Sequence, residues 1–331
     1  MKKILLIFFT VCLLENAVFA QECVRADYKI TLANNGRTKI YDMKFSPYGV
    51  WSAKNMKEVS GVFVFRVTDL ETDSVIFRYG FNSLYAEWLT TKSAQNSKKV
   101  FYGAVRFPKT TKPALIEIFM RNSFGGYDGI FETVFYPDSL DYTGFSSDNS
   151  KVKKIIYNGK PSKKINIAVV ADGYKSYEAD KFFSDAKELA SEIFEYEPFK
   201  EHKNKFNVTA VLDTSYSGFS YYTFGMQRYL TTENFSAVCT AARAVDWDFV
   251  VVLVNAGRYG GSGIYNFYAA VSAQNPLAKE ILVHEFGHSF AGLDDEYIGE
   301  AVTECIMCTL SEKKFCEKCK KNILHTIFCF F

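Results

Sequence analysis

The sequence lacks three features that define common classes of protein. It has no excess of either charge, because 39 Lys and Arg residues nearly balance 37 Asp and Glu residues. This balance argues against a nucleic-acid partner, which selects clustered positive charge. No internal repeat or low-complexity tract is visible, and no apolar run after the first twenty residues is long enough to span a membrane. With 331 residues, 48% of them hydrophobic, the chain can bury a sizeable core and favours two domains.

The first twenty residues, MKKILLIFFTVCLLENAVFA, have the pattern of a signal peptide. Lys2 and Lys3 form a charged start, Ile4 to Leu14 form an apolar core, and Val18 and Ala20 occupy the positions before a cleavage site. The apolar segment is too short to anchor the chain across a bilayer. We therefore expect a cleaved signal peptide and a secreted, periplasmic or cell-surface protein.

Two regions with different patterns follow. From 21 to 150, short β-type runs such as GVFVFRV and ALIEIFMR alternate with turn residues, which predicts an antiparallel β-sandwich. Residues 145–164 are polar and lysine-rich, which predicts a linker. From 151 to 331, strands alternate with amphipathic helices, which predicts an α/β domain. The nearly continuous apolar run at 248–255 predicts a strand that is covered on both faces of a sheet.

Histidine is scarce, yet two of the four histidines stand four residues apart in the segment VHEFGHSFAGLDDEY. Asn275 and Pro276 predict a helix start. One helical turn then separates His284 from His288, so both imidazoles project from one face. Two imidazoles in this arrangement can bind one Zn²⁺, and Glu285 beside them can take a proton from water. The alternative, a helix with two histidines and no metal, does not account for the acids that follow directly.

A tetrahedral zinc site needs a third protein ligand, and Asp294, Asp295 and Glu296 are the candidates. In the metzincin pattern HExxHxxGxxH, glycine turns the chain so that a residue three positions later returns to the metal. The glycine here is Gly292, one position later than in that pattern, and three residues beyond it stands Asp295. Counting from the histidines alone gives Asp294. Because the turn sets the geometry, we predict Asp295 as the third ligand.

The segment HEFGHSFAGLDDEY resembles the signature of the IgA-peptidase family of secreted bacterial zinc metallo-endopeptidases. VADGY, EPFKEHKNKFNV and VLVNAGRYGGSG are also similar to that family, so the resemblance extends over nearly the whole mature chain. It implies an N-terminal β-sandwich, a zincin-type, metzincin-like catalytic domain and a protein or peptide substrate. It also implies zinc on His284 and His288, Glu285 as the general base, and a carboxylate ligand from the segment 295–297. Family members tend to continue further, which implies a catalytic domain that is shortened at its C-terminus.

Two C-x-x-C pairs follow the motif, and their members are Cys305, Cys308, Cys316 and Cys319. In an exported chain, disulfides between the pairs are favoured. A structural Zn²⁺ and free thiols are the alternatives, although the loop between the pairs is shorter than in common zinc ribbons. Met307 is either a methionine turn beneath the metal, as metzincins have, or an ordinary buried methionine.

Two functions from different classes are consistent with these patterns. The first is a zinc endopeptidase acting outside the cytoplasm, in which residues 267–273 form either an edge strand that holds substrate by strand addition or a plain core strand. The second is a non-enzymatic binding protein that uses the β-sandwich and carries an inactive or structural zinc site. Glu285 favours the first, since a structural zinc site has no use for a general base. A zinc hydrolase acting on a non-protein amide is a third alternative.

Overall fold

The computed structural model describes residues 21–51, 60–140, 150–214, 218–297 and 304–331, so the predicted signal peptide lies outside the described residues. The described N-terminal part contains seven strands and two short helices. In chain order they are β1 (Gln21–Leu32), β2 (Thr38–Trp51), β3 (Phe63–Asp69), β4 (Val75–Phe81), α1 (Leu84–Leu89), α2 (Lys92–Asn96), β5 (Val100–Pro108), β6 (Ala114–Arg121) and β7 (Tyr127–Phe135).

These seven strands form two antiparallel sheets within the described residues, ordered β2–β1–β5 and β4–β3–β6–β7. The predicted antiparallel β-structure is therefore confirmed. Phenylalanine rings lie between the two sheets. The ring centroid of Phe107 is 5.5 Å from that of Phe65 and 5.3 Å from that of Phe135, and Phe135 lies 5.0 Å from Phe45. Large aromatic side chains thus supply much of the apolar area that holds the sheets together.

A second set of six strands follows in the described part of the chain: β8 (Lys151–Ile156), β9 (Ile165–Asp172), β10 (Phe206–Leu212), β11 (Phe249–Val254), β12 (Gly261–Ile264) and β13 (Tyr268–Ser272). They form one mixed sheet in the order β12–β13–β11–β9–β10–β8. The four inner strands are parallel, and the edge strands β8 and β12 run antiparallel to their neighbours.

The inner strands of this mixed sheet are covered on both faces. Every residue of β9 and β11 is buried, as the apolar run at 248–255 predicts. Along β9, Ala168 and Val170 join the core shared with the N-terminal sheets, whereas Ile167 and Val169 join a second core on the opposite face. The mixed sheet therefore separates two hydrophobic cores, because successive side chains of a strand point to opposite faces.

Helices cover the face of the mixed sheet that lies away from the N-terminal sheets. They are α3 (Ala179–Glu192), α5 (Ala278–Ala291) and α6 (Glu317–Cys329), whereas the short α4 (Phe235–Ala241) packs on the other face. This mixed α/β region agrees with the predicted alternation of strands and helices. Within the described residues, no helix is both long and apolar enough to cross a membrane.

One segment differs from its predicted role, and the structure decides between the two alternatives for another. Residues 151–156, predicted within the linker, form the edge strand β8 and pair with β10; residues 145–149 lie outside the described residues. Residues 268–272 do not form an edge strand, because β13 lies between β12 and β11. The core-strand alternative therefore applies to them, and the edge beside the histidine helix is β12.

Candidate metal centre

Helix α5 carries both histidines of the motif and is held by a buried apolar face. It begins at Ala278, slightly later than Asn275 and Pro276 predict, because Asn275 instead caps the preceding turn by accepting a hydrogen bond from the Leu277 N–H at 3.0 Å. Leu282, Phe286 and Phe290, which the helical periodicity places opposite the histidines, are all fully buried. Burial of three large apolar side chains fixes the rotation of the helix and therefore the direction of its polar face.

Two glycines of β12 allow α5 to lie directly on the edge of the sheet. A Cβ atom on Gly263 would stand 2.1 Å from the Glu285 carbonyl oxygen and 2.8 Å from the Cβ of His288. A Cβ atom on Gly261 would stand 2.6 Å from Ile281 Cγ2 and 2.9 Å from Glu285 Oε1. A side chain at Gly263 would overlap helix backbone, and one at Gly261 would displace Ile281 and Glu285, so the G-x-G pattern lets the strand edge lie next to the histidine turn of the helix.

We expect Gly263→Ala to destabilise the protein by about 1–3 kcal/mol or more, because the added methyl group overlaps helix backbone that cannot rotate away. The matched control is Gly129→Ala in β7, since the nearest atom to a Cβ there is 3.7 Å away. Urea unfolding of both variants measures the difference. An unfolding midpoint for Gly263→Ala equal to that of the control would contradict the close packing of α5 on β12.

Three side-chain atoms converge beside the partly buried polar face of α5. The Nε2 atoms of His284 and His288 are 3.1 Å apart, and each lies 3.2 Å from Asp295 Oδ1. The three atoms form a nearly equilateral triangle. Asp295 Oδ1 is buried and accepts no hydrogen bond of regular geometry from any described residue, in spite of its closeness to both rings.

The other ring nitrogens set the tautomer of both histidines. His284 Nδ1 lies 3.0 Å from the Ile306 carbonyl oxygen, and His288 Nδ1 lies 2.5 Å from the Leu293 carbonyl oxygen. A carbonyl oxygen can only accept, so each Nδ1 donates, and in the neutral form of each ring Nδ1 carries the single proton. Each Nε2 then presents a lone pair. The triangle is therefore a set of three acceptors that face one another, and such a set is stabilised by a cation.

The pKa shifts of His288 and Asp295 also show that this site stabilises positive charge. Burial lowers the pKa of His288, but Asp295 and Glu285 outweigh it and raise that pKa to about 9. Burial also opposes ionisation of Asp295, but its close contacts with the two imidazoles and the hydrogen bond from Tyr297 hold the pKa of Asp295 well below its usual range. The site thus favours a cation between these groups, whether a proton or a metal ion.

Asp295 reaches the histidines because the chain reverses after α5. Gly292 ends the helix in the left-handed region, with φ 59°, and its N–H donates to the His288 carbonyl oxygen at 3.0 Å. Asp294 is exposed, and Glu296 turns towards the cysteines. The structure therefore brings Asp295, and neither neighbouring acid, to the two imidazoles, in the arrangement that the turn at Gly292 predicts.

The triangle opens into a cleft of about 720 Å³. Glu285 lines this cleft, and one of its carboxylate oxygens lies within 4.8 Å of a ring nitrogen of each histidine. Burial raises the pKa of Glu285, while the two imidazoles act in the opposite direction. A carboxylate at this distance is placed to exchange a proton with a water molecule between it and the histidines.

Profiles of two protein families match the chain. The profile described as IgA Peptidase M64 matches residues 153–304, and the profile described as Peptidase M64 N-terminus matches residues 16–132. The chain belongs to the M64 family of IgA peptidases. This family consists of metallopeptidases, and the resemblance drawn from the histidine motif is confirmed.

The individual proteins compared with this M64 chain say little about its fold or chemistry. No curated protein matches it. Among solved structures, a polysaccharide deacetylase from Bacillus cereus is 10% identical over 72% of this chain and 63% of that protein, with a TM-score of 0.12. The chain thus spans about 63% of the length of that deacetylase, and a similarity this low carries no argument about fold or chemistry.

Some residues of the M64 cleft could not be identified from the sequence. Glu87 of α1 lines the cleft and accepts a hydrogen bond from the Tyr229 hydroxyl. Arg228 also lines it and donates to the Tyr297 hydroxyl at 3.2 Å. No local pattern marks these residues, because segments that are distant in the sequence bring them to the cleft. The N-terminal part of the chain thus contributes a carboxylate to a cleft of the M64 region.

The cysteines of this M64 chain do not form the disulfides that the sequence favours. None of the four C-x-x-C cysteines, Cys305, Cys308, Cys316 and Cys319, is in a disulfide. The first C-x-x-C pair is also divided, because Cys308 lines the cleft whereas its partner Cys305 is buried near the second pair.

Met307, between Cys305 and Cys308, is fully buried, and its sulfur would stand 3.0 Å from a Cβ on Gly287. It therefore packs against α5 at Gly287, within the turn that separates the two histidines.

Proposed function

We propose that this chain is an exported, zinc-dependent endopeptidase, in which His284, His288 and Asp295 hold the metal and Glu285 is the general base. The observation that carries the proposal is the triangle of three acceptor atoms at separations of 3.1 and 3.2 Å. Membership of the M64 metallopeptidase family supports a metal-dependent reaction on peptide bonds. The sequence pattern of residues 1–20 supports export.

The separations and the donor set both fit zinc. With metal–ligand bonds of ~2.0 Å and tetrahedral angles, two ligand atoms on one Zn²⁺ lie about 3.3 Å apart, close to the distances in the triangle. Two neutral imidazoles and one carboxylate are a donor set of catalytic zinc sites, which keep a fourth position open. The bonds from His284 and His288 to backbone carbonyls are the outer contacts that orient such ligands.

The residues around this triangle have separable roles in hydrolysis. A zinc ion bound here supplies Lewis acidity, which activates water and polarises a carbonyl group. The Glu285 carboxylate accepts the proton of the attacking water and delivers it to the leaving amine nitrogen. Tyr297 donates to Asp295 Oδ2 at 2.6 Å, which leaves Oδ1 free to bind the metal, and Arg228 holds the Tyr297 hydroxyl.

The edge strand β12 supports a peptide as the substrate. The Gly261 N–H donates to the Arg228 carbonyl, and the Gly261 carbonyl accepts from the Leu230 N–H, so its polar groups point away from β13. Gly263 stands two residues further along the strand, where its N–H and C=O point the same way, and it lines the cleft. The segment 228–230 already occupies the edge at Gly261, so an extended peptide can pair with β12 at Gly263 and run across the cleft past Glu285.

The proposal includes the division of the chain into a cleaved signal peptide at 1–20, an N-terminal β-sandwich at 21–150 and a zincin-type, metzincin-like catalytic domain at 151–331. The facing antiparallel sheets and the rings between them support the sandwich. A histidine helix that lies against an antiparallel edge strand, followed by a buried methionine, supports the catalytic domain.

Metal analysis of the purified protein, combined with digestion of a mixed protein substrate, tests this function. An endopeptidase binds zinc at the histidine site and produces internal cleavages that stop when the metal is chelated. A binding protein retains zinc and cleaves no protein at all. A hydrolase of non-protein amides retains zinc, leaves proteins intact and releases amine from small amide substrates.

The third ligand gives a sharper prediction. We expect Asp295→Ala to lower zinc affinity by more than the ~10–100-fold that loss of an outer contact costs, because a direct ligand is removed. Asp294→Ala is the matched control, since that neighbouring side chain is exposed and its loss should leave affinity unchanged. Titration with a competing chelator measures both. Greater damage from Asp294→Ala would mean that the spacing from the histidines, and not the turn at Gly292, selects the ligand.

A further inference from the structure

A second cluster of metal-binding side chains lies behind the histidine site. It consists of Glu296, Cys305, Cys316 and Cys319, and one ligand atom from each lies within 4.8 Å of all the others. Cys305 and Cys319 are buried, and Cys316 is half-buried. Glu296 Oε1 is 3.3 Å from the Sγ atoms of both Cys316 and Cys319. Three thiols and one carboxylate therefore surround a common point without belonging to the catalytic triangle.

The distances in this cluster match the edges of a tetrahedron around zinc. With Zn–S bonds of ~2.3 Å, two sulfur ligands lie about 3.8 Å apart, and with a Zn–O bond of ~2.0 Å a sulfur and an oxygen ligand lie about 3.5 Å apart. The Cys305 and Cys319 sulfurs are 3.9 Å apart. A disulfide requires about 2.05 Å between its sulfurs, so the observed spacing is that of co-ligands and not of a bonded pair.

The environment of Glu296 also favours a cation over a disulfide. Its Oε2 atom is buried and has no hydrogen-bond partner among the described residues. A disulfide between two of the cysteines would leave this carboxylate beside one remaining thiol, with its charge poorly compensated. A divalent cation on Oε1 and three thiolates provides the missing positive charge directly.

We propose that Glu296, Cys305, Cys316 and Cys319 bind a second, structural zinc ion. Four protein ligands close the coordination sphere, which is the property that separates structural from catalytic zinc sites. Cys308 is not a ligand, because it lines the cleft instead. The C-x-x-C pairs therefore supply three thiolates, and an acid from the histidine motif completes the set.

This ion would connect three segments of the chain near the catalytic triangle. Glu296 directly follows Asp295, and its N–H donates to the Met307 carbonyl oxygen at 3.0 Å. Cys305 directly precedes Ile306, whose carbonyl oxygen binds His284 Nδ1. Cys316 and Cys319 lie at the start of α6. The second zinc thus fixes the loop that carries Asp295, but its existence does not depend on whether the chain is a peptidase.

The metal content of the full-length protein, purified without chelator, tests the proposal. We expect two zinc equivalents in the wild type and in the Cys308→Ser control, and one in Cys316→Ser. After replacement by Co²⁺, wild type and His288→Ala should both show the near-ultraviolet charge-transfer absorption of thiolate bound to cobalt, and Cys316→Ser should lose it. His288→Ala empties only the other site, so this absorption separates failure of the second site from failure of the proposed catalytic site.

Thiol alkylation of the denatured wild type keeps the test decisive if Cys316→Ser does not fold. A wild-type protein with two fewer alkylatable thiols, mapped to Cys305 and Cys319, would overturn the proposal in favour of a disulfide. One zinc equivalent without the thiolate–cobalt absorption would overturn it as well. Two equivalents with that absorption support it, since the histidine site contains no sulfur ligand.

Discussion

Glu285→Gln should abolish hydrolysis while zinc remains bound. The amide keeps the size and shape of the side chain but cannot accept a proton, so the general-base contribution of at least ~10²-fold is lost from kcat. The measurement is the rate of cleavage of a protein substrate, with zinc content determined on the same sample. Both metal sites should retain their ions, because Glu285 is a ligand of neither.

The position of Glu285 makes this loss specific to the chemistry. Its carboxylate lies in the cleft against Gly261. We therefore expect Glu285→Gln to leave the free energy of unfolding nearly unchanged, in contrast to Gly263→Ala, which disturbs the same contact between β12 and α5. Digestion at the wild-type rate, with zinc and folding intact, would show that another group is the base.

The rival binding function predicts a different pair of results. If the protein binds a glycan or another protein and catalyses nothing, wild type and Glu285→Gln are equally inactive on every substrate and bind their ligand equally well. The comparison of the two proteins therefore tests the mechanism and the function class together.

The sequence predicts best those features that depend on local periodicity. The helical spacing of Leu282, Phe286 and Phe290 identifies the buried face of α5, and those three residues are fully buried. The apolar run at 248–255 identifies a strand that is buried on both faces. Both patterns arise from the contacts of a single element with its surroundings, so the sequence of that element records them.

Features that depend on contacts between distant segments are harder to predict from the sequence than local periodicity. Strand β8 resembled a linker because most of its residues are exposed, which is how a lysine-rich edge strand avoids pairing with other chains. Glu87 enters the cleft only because α1 of the N-terminal part lies near β12 and α5. The sequence position of Glu296 groups it with the catalytic acids, whereas its side chain points to cysteines up to 23 residues away.

Replacement of either motif histidine should remove zinc from the catalytic site and eliminate activity. Loss of one imidazole from a set of three protein ligands leaves two, too few to hold zinc during purification. We expect His284→Ala and His288→Ala each to lose one zinc equivalent relative to wild type, together with all measurable peptide hydrolysis.

His325→Ala is the matched control for both variants. His325 is an exposed residue of α6, outside the lining of the cleft, so its removal should change neither zinc content nor rate. Because the cysteine cluster can hold an ion of its own, the decisive quantity is the loss relative to wild type and not the zinc that remains. If His284→Ala and His288→Ala both keep the wild-type zinc content, then the triangle with Asp295 is not a metal site. If they lose one equivalent but still cleave protein at the wild-type rate, then the metal is there but the chemistry is elsewhere.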